Sequence, residues 1–339
     1  MHNEAGPEAI PMGGASQPLV SVALPVYNGE NYIRQALDSI LAQTYHPLEL
    51  ILSDNGSTDA TPSICREYAA RDSRIRYYGE EKNRGATWNF NRVIDMARGE
   101  FFRWASHDDV CAPELLERCL AVMLARPEVV LCFPRTRIIG PAGEFQFDYP
   151  VCLRTDSGSA GERFREIISK DHACFQIFGM MRTEVLRRTP RMGYGVGTDR
   201  NLLAELSLMG PFHEIPEYLF FRRDHPNTST RQFPNAKDRV AWFTASHRSR
   251  RNPTVNRAVG YLQSVMRVPL PLGERLLCLG YLAQWTGQRL RHLLSRAGHV
   301  PEPVLPATSV KAVSAEVPPV LALTGNPVST HGSMSAGRS

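Results

Sequence analysis

Phe101-Phe102-Arg103-Trp104-Ala105-Ser106-His107-Asp108-Asp109 is the stretch that decides how this chain is read. The aromatic run from 101 to 105 has the composition of a buried strand. Asp108 and Asp109 follow it after Ser106 and His107, at the strand's carboxyl end. In open α/β sheets that end opens into the crevice where ligands bind. Two neighbouring carboxylates repel each other unless a cation or hydrogen-bond donors compensate them. A divalent metal carrying a diphosphate is the natural compensator, because hard cations prefer oxygen ligands. The same residues also suit an acidic helix start, with Asp109 as N-cap and Pro113 and Glu114 in the first turn.

Working outward, the pattern repeats. Leu19 to Leu24 reads as a strand stopped by Pro25. Residues 31–43 carry Ile33, Leu37, Ile40 and Leu41 at helical spacing. Leu48 to Leu52 is a second strand and 75–78 a third. Asp59 suits the N-cap of a helix reaching Ala70. Helices are expected over 87–97, ended by Gly99, and over 113–125, with a strand over 129–133. Strands alternating with helices imply parallel βαβ units, hence an α/β fold. Beyond 148 the chain is loop-like to 159. Helices are then expected over 160–169 and 199–209, a strand over 175–181, and another over 218–221. Two or three helices fill 235–296. Residues 1–18 and 298–339 are rich in Gly, Pro and small residues and read as disordered.

The bulk figures narrow the function. The chain has 339 residues, 42% of them hydrophobic, enough for two average domains or one large one plus extensions. From Arg222 to Arg296 there are fourteen Lys and Arg against three acids (Asp224, Asp238, Glu274), a net +11 where the whole chain carries +5. A basic carboxyl third fits an anionic partner or a solvated helix face. The seven cysteines include no CxxC pair, which argues for a reducing compartment and against structural zinc. Residues 1–18 lack the apolar segment of a signal peptide. The uncharged run from Leu276 to Gln288 is too short to span a bilayer.

Three polar loops then fall at successive strand ends: Pro25-Val26-Tyr27-Asn28, Ser53-Asp54-Asn55-Gly56-Ser57 and Ser106-His107-Asp108-Asp109. Their convergence on one sheet edge is the geometry of a nucleotide site. Neither GxGxxG after the first strand nor a Walker GK[ST] is present, which weighs against dinucleotide oxidoreductases and P-loop enzymes. These segments resemble family 2 glycosyltransferases. Val20 to Asn28 looks like that family's opening strand. Leu50 to Asp59 looks like its second, with Asn55 in place of the commoner second Asp. Asn83-Arg84-Gly85-Ala86-Thr87-Trp88-Asn89-Phe90-Asn91 and Ala97-Arg98-Gly99-Glu100 are similar to the stretch before the family's acidic motif, whose place His107-Asp108-Asp109 takes. The likeness is strong over 19–135 and weak to about 230.

The resemblance implies a GT-A nucleotide-diphospho-sugar transferase fold: a mostly parallel central sheet flanked by helices, here with a helical C-terminal extension. It implies a nucleoside-diphosphate sugar donor, Mn2+ or Mg2+, and inversion at the anomeric carbon. Carried over by residue, Pro25, Tyr27, Asn28, Asp54, Asn55, Arg84, Ser106 and Asp108 would line the nucleotide-sugar. Asp108 and Asp109, with His225, would hold the metal. Ser106 stands where the family often has a first acid, and a hydroxyl is a poor metal ligand. Asp199 falls at the place of the general base, and also suits an N-cap. Arg222 and Arg223 would neutralise the leaving diphosphate. His107 suits a metal ligand or packing under the loop, and Trp88 and Trp104 read as core. The expected organisation is a catalytic domain over 19–230 and a basic helical extension over 231–297.

The expected acceptor is a glycan or lipid-linked hydroxyl in cell-surface polysaccharide or glycolipid synthesis. Cytoplasmic placement follows, with the basic helices near 270–294 either on the inner face of the plasma membrane or capping the catalytic domain. Nucleic acid is not an expected partner, since the basic residues match no known module. Two further readings stand beside this one. A nucleotidyltransferase shares the architecture but wants a glycine- and Arg/Lys-rich loop after the first strand. A catalytically silent nucleotide-sugar-binding module would explain Ser106 and the lack of a Glu before Asp199.

Overall fold

The computed structural model describes residues 17–193, 197–232, 236–244 and 253–296. The two terminal stretches read as disordered lie outside these, apart from 17 and 18, as does part of the glycine-rich loop before Asp199. The amino half runs β1 (Val20–Val26), α1 (Ile33–Leu41), β2 (Leu48–Asp54), α2 (Thr61–Arg71), β3 (Ile75–Gly79), α3 (Ala86–Met96) and β4 (Phe101–Trp104). These four strands are parallel, in the order β3-β2-β1-β4. β1, β2 and β4 are buried along their whole length, as parallel strands covered by helices on both faces must be.

The second half adds β5 (Val110–Cys111), α4 (Leu115–Ala125), β6 (Leu131–Ile139), β7 (Phe145–Asp148), α5 (Ala160–Ser169), β8 (Met180–Arg182), α6 (Thr183–Arg187), α7 (Thr198–Met209) and β9 (Phe212–Arg223). The sheet continues from β4 through β8, β6 and β9 to β5, with β7 paired to β6. β8 is antiparallel to both its neighbours, while the long β6–β9 ladder is parallel. Parallel ladders therefore carry most of the pairing in this α/β sheet. α8 (Ser229–Gln232), α9 (Ala236–Thr244), α10 (Pro253–Arg267) and α11 (Leu272–Arg296) complete the described chain. One core lies under α1, α2 and α4, the other under α3, α5 and α7, where Trp104 is wholly buried as expected.

Several local expectations are corrected. β1 does not stop at Pro25, which pairs with Ser53 inside the ladder. Ala105 N donates to Ala23 O, so Ala23 and, two residues on, Pro25 turn their backbone toward β4, which has ended by then. The missing N–H of Pro25 therefore costs the sheet nothing. Residues 175–178 form a 3-10 turn before the short β8 rather than one long strand. Asp109 is not an N-cap, since α4 starts at Leu115 after Glu114. α2 follows Ala60, one residue past Asp59. α7 follows Gly197, whose φ of 83° suits glycine, so Asp199 lies inside its first turn.

Candidate active site

The loops after β1 and β2 are tied into one unit. Asn28 N donates to Ser57 Oγ and Asn28 Oδ1 accepts from Thr58 N, both at 2.9 Å. Gly29 N donates to Thr61 Oγ1 at 2.8 Å, and Glu30 N to Asp59 Oδ2 at 3.1 Å. The loop after β4 packs on this unit: a Cβ added to Gly29 would lie 2.7 Å from the His107 ring. Pro25 is buried in the sheet, whereas Tyr27 stands at the mouth, 38% exposed.

Asp54 and Asn55 are buried beneath this mouth. Asp54 accepts from Ser57 N at 2.9 Å and from Tyr77 OH at 3.0 Å, one bond on each oxygen. A carboxylate has room for more, so Asp54 retains acceptor capacity. Asn55 is more committed. Its amide donates to Asn83 Oδ1 and Gly85 O, and its carbonyl accepts from Arg84 N at 3.0 Å. Asn55 thus holds the 83–85 loop, with only a carbonyl lone pair left for a ligand. The Arg84 side chain is exposed and lies over the Trp88 ring at 4.0 Å. Trp88 is half-buried between Arg84 and Arg92, not in the core as expected.

The two acids have different surroundings. Asp108 Oδ1 accepts from the Ser106 hydroxyl. Its Oδ2 lies 3.1 Å from His225 Nε2 and 3.6 Å from Arg222 Nη1. Asp109 Oδ1 accepts from Arg222 Nη1 and Arg223 N, each at 2.9 Å. Burial would raise the Asp108 carboxyl. His107, His225, Arg222 and the Ser106 hydroxyl outweigh it and hold the group well below the usual carboxylate range. Burial pushes Asp109 up to about 6, with the charge of Asp108 adding to it and Arg222 opposing. Burial likewise lowers His107, against the pull of Asp108.

Arg223 departs from its expected role. Nε donates to Asp108 O at 2.9 Å, Nη1 to Gly140 O at 3.2 Å and Pro141 O at 2.9 Å, and Nη2 to Gln35 Oε1 at 2.6 Å. Its guanidinium also lies 4.8 Å from the Tyr32 ring. With 1% exposure it cannot meet a diphosphate. It joins the acidic loop to α1 and to the β6–β7 turn. Arg222 keeps partial exposure beside both acids. Tyr32 and Gln35 were not singled out in the sequence. The Tyr32 ring packs tilted against His225, centroids 4.6 Å apart, and both Tyr32 and Gln35 meet the Arg223 guanidinium.

Asp199 is half-buried on α7 and shares no hydrogen bond or ion pair with the acidic loop among the described residues. The segment before it docks on α3 through Thr87 Oγ1 to Gly193 O and Asn91 Nδ2 to Met192 O.

The donor set fits a divalent cation in one respect: a carboxylate and an imidazole, Asp108 and His225, meet at 3.1 Å, joined in this structure by a hydrogen bond whose proton a cation would replace. Asp109 Oδ2 and His225 Nδ1 are buried without partners, so the loop holds more polar capacity than its own bonds use. No cluster of three or more His, Cys, Asp or Glu converges among the described residues. A cation here would take two protein ligands and complete its shell from phosphate and water, as magnesium commonly does.

Residues 21–189 match the model of Glycosyl transferase family 2. The chain belongs to this family through that domain. An uncharacterized glycosyltransferase of Rickettsia typhi is 42% identical over 106 residues, 31% of this chain and 32% of that one. A putative glycosyltransferase, EpsH of Bacillus subtilis, is 38% identical over 115 residues, covering 34% and 33%. The chain thus spans about a third of the length of these curated relatives. TarS residues 1–349 of S. aureus, crystallised with UDP-GlcNAc, align with a TM-score of 0.54 over 78% of this chain and 71% of that one, at 16% identity. That likeness shows a shared fold, the GT-A fold; the helices after β9 are read from this chain itself.

Proposed function

We propose that this family 2 glycosyltransferase is an inverting, metal-dependent enzyme that moves a sugar from a nucleoside diphosphate to a hydroxyl of a glycan or lipid-linked acceptor. The observation that carries the reading is the 3.1 Å pairing of Asp108 Oδ2 with His225 Nε2 where three loops interlock at the sheet edge. Asp108 and His225 would hold Mn2+ or Mg2+, which when bound neutralises the diphosphate and makes it a better leaving group. Arg223 keeps the acidic loop in place through Asp108 O, and Asp109, anchored at Oδ1 by Arg222 and Arg223 N, keeps Oδ2 for the cation or its waters. Tyr27 offers a ring for the base, Asp54 a free acceptor position for its edge, and Arg84 and Arg222 positive charge for the phosphates. Ser106 orients Asp108. Asp199 takes the proton of the acceptor hydroxyl as its oxygen bonds the anomeric carbon and the bond to the diphosphate breaks on the opposite face.

Asp199→Asn tests the reading. Metal-dependent donor binding should survive while transfer falls at least about 100-fold, and the wild-type product should carry the inverted anomeric configuration by NMR. Full transfer by Asp199→Asn would refute the base. Donor binding by the wild type with no transfer to any acceptor would favour the silent module.

A further inference from the structure

α10 and α11 bury one face each and leave the other bare. On α10, Tyr261, Ser264 and Val265 face the core. Val255, Val259, Leu262 and Met266 are exposed, Met266 by 57%. Spacings of four, three and four residues put these four on one stripe of the helix. On α11, Cys278, Leu282 and Trp285 are buried, and Trp285 packs edge-on to Tyr261 at 5.3 Å. Leu272, Leu276 and Leu290 are exposed on one side, Leu272 by 73%. Gly280 and Gly287 lie beside that line, and a Cβ at either would meet nothing within 4 Å. These stripes are uncovered by any described residue.

Charge decides what covers them. From Pro253 to Arg296 there are six arginines and one acid, Glu274. Glu274 is already bonded to the Ser159 hydroxyl and Gly161 N. Arg291 on α11 and Arg267 on α10 are exposed beside the apolar stripes, positions from which long cations reach headgroups while their stems cover apolar surface, although Arg267 also pairs with Glu205; Arg275 donates to Val268 O and Arg289 lies 5.6 Å from the Trp285 ring. A second copy of the chain would bring two faces of like charge together. No helix among the described residues is long and apolar enough to cross a membrane. We infer that this face docks on an anionic lipid bilayer, its stripes at the headgroup boundary and its arginines on the headgroups. The inference does not depend on the transfer reading, to which it would add a surface carrying a lipid-linked acceptor.

The test is sedimentation of the full chain with phosphatidylcholine vesicles, with and without phosphatidylglycerol, at low and high salt. Binding should need phosphatidylglycerol and fall with salt. The combined variant Val259→Ser, Leu262→Ser, Met266→Ser should weaken it at least about tenfold. Arg291→Gln should weaken it about fivefold. Both variants should keep the wild-type melting temperature and donor binding. Equal binding to both vesicle types overturns the inference, as does anionic binding unchanged by the serine variant. A dimer in sedimentation velocity that the serine variant dissolves would give the face to a second copy.

Discussion

Replacing Arg223 with Met should loosen the acidic loop and destabilise the fold together. The wild-type guanidinium makes four hydrogen bonds to oxygens on three separate elements. Hydrogen bonds to a charged group contribute about 1.5–3 kcal/mol each, so a simple sum gives roughly 6–12 kcal/mol. That sum is too large. Pro141 is exposed and its carbonyl can turn to water, and losing a buried cation returns part of its desolvation cost. Gln35 is exposed too, and its side-chain oxygen can also turn to water, so the lasting damage is at Asp108 O, left without a donor at about 1–3 kcal/mol. A net loss of about 2–3 kcal/mol follows. Arg223→Lys should lose about 1–2 kcal/mol, since one ammonium cannot serve three directions. Urea unfolding reads the loss as a lower midpoint at unchanged slope. Metal-dependent donor binding should weaken at least tenfold in conditions where the variant stays folded. Stability within about 1 kcal/mol of wild type and unchanged donor affinity for Arg223→Met would refute the role of Arg223 as the tie between loop and scaffold.

Gly29→Ala places a methyl 2.7 Å from the His107 ring and 2.8 Å from Val26 Cγ2. It should cost about 1–3 kcal/mol and depress transfer, both absent if the loops are not in contact. His172 gives a pH prediction of defined sign. It must be neutral, since Nδ1 accepts from Cys174 N at 3.2 Å while Nε2 faces Ile167 O at 3.1 Å. Burial, with Arg200 beside it, lowers its pKa from 6.5 to about 4. The unfolded chain binds that proton more readily, so the contribution is whole above pH 6.5 and falls as pH drops to about 4, a loss of about 3 kcal/mol. His172→Gln should flatten that part of a stability–pH curve measured by urea unfolding.

The parallel half of the sheet was legible because burial on both faces concentrates apolar residues in β1, β2 and β4, and the polar loops after them stand out by contrast. β5 and β7 left no such mark. They are two and four residues long, and Phe145, Gln146 and Phe147 are all exposed. Pro25 misled because its lack of a donor matters only where a neighbouring strand continues. Arg222 and Arg223 looked equivalent as a basic pair. Strand alternation separates them, sending one side chain to the acids and the other into the interior. The turn between β6 and β7, which accepts from Arg223, is remote in sequence, so no local pattern announced it.

The most direct measurement is calorimetry of UDP-, GDP- and dTDP-sugars with and without manganese, on the wild type and on Asp108→Asn. The amide keeps the size of the carboxylate and removes its charge. One of the nucleotide-sugars should bind the wild type in a manganese-dependent manner, and Asp108→Asn should abolish the manganese dependence at a temperature where circular dichroism shows the variant folded, even though its melting temperature falls with the loss of the charge that His225 and Arg222 face. Equal, manganese-enhanced binding by both proteins would contradict the assignment of Asp108 to the cation.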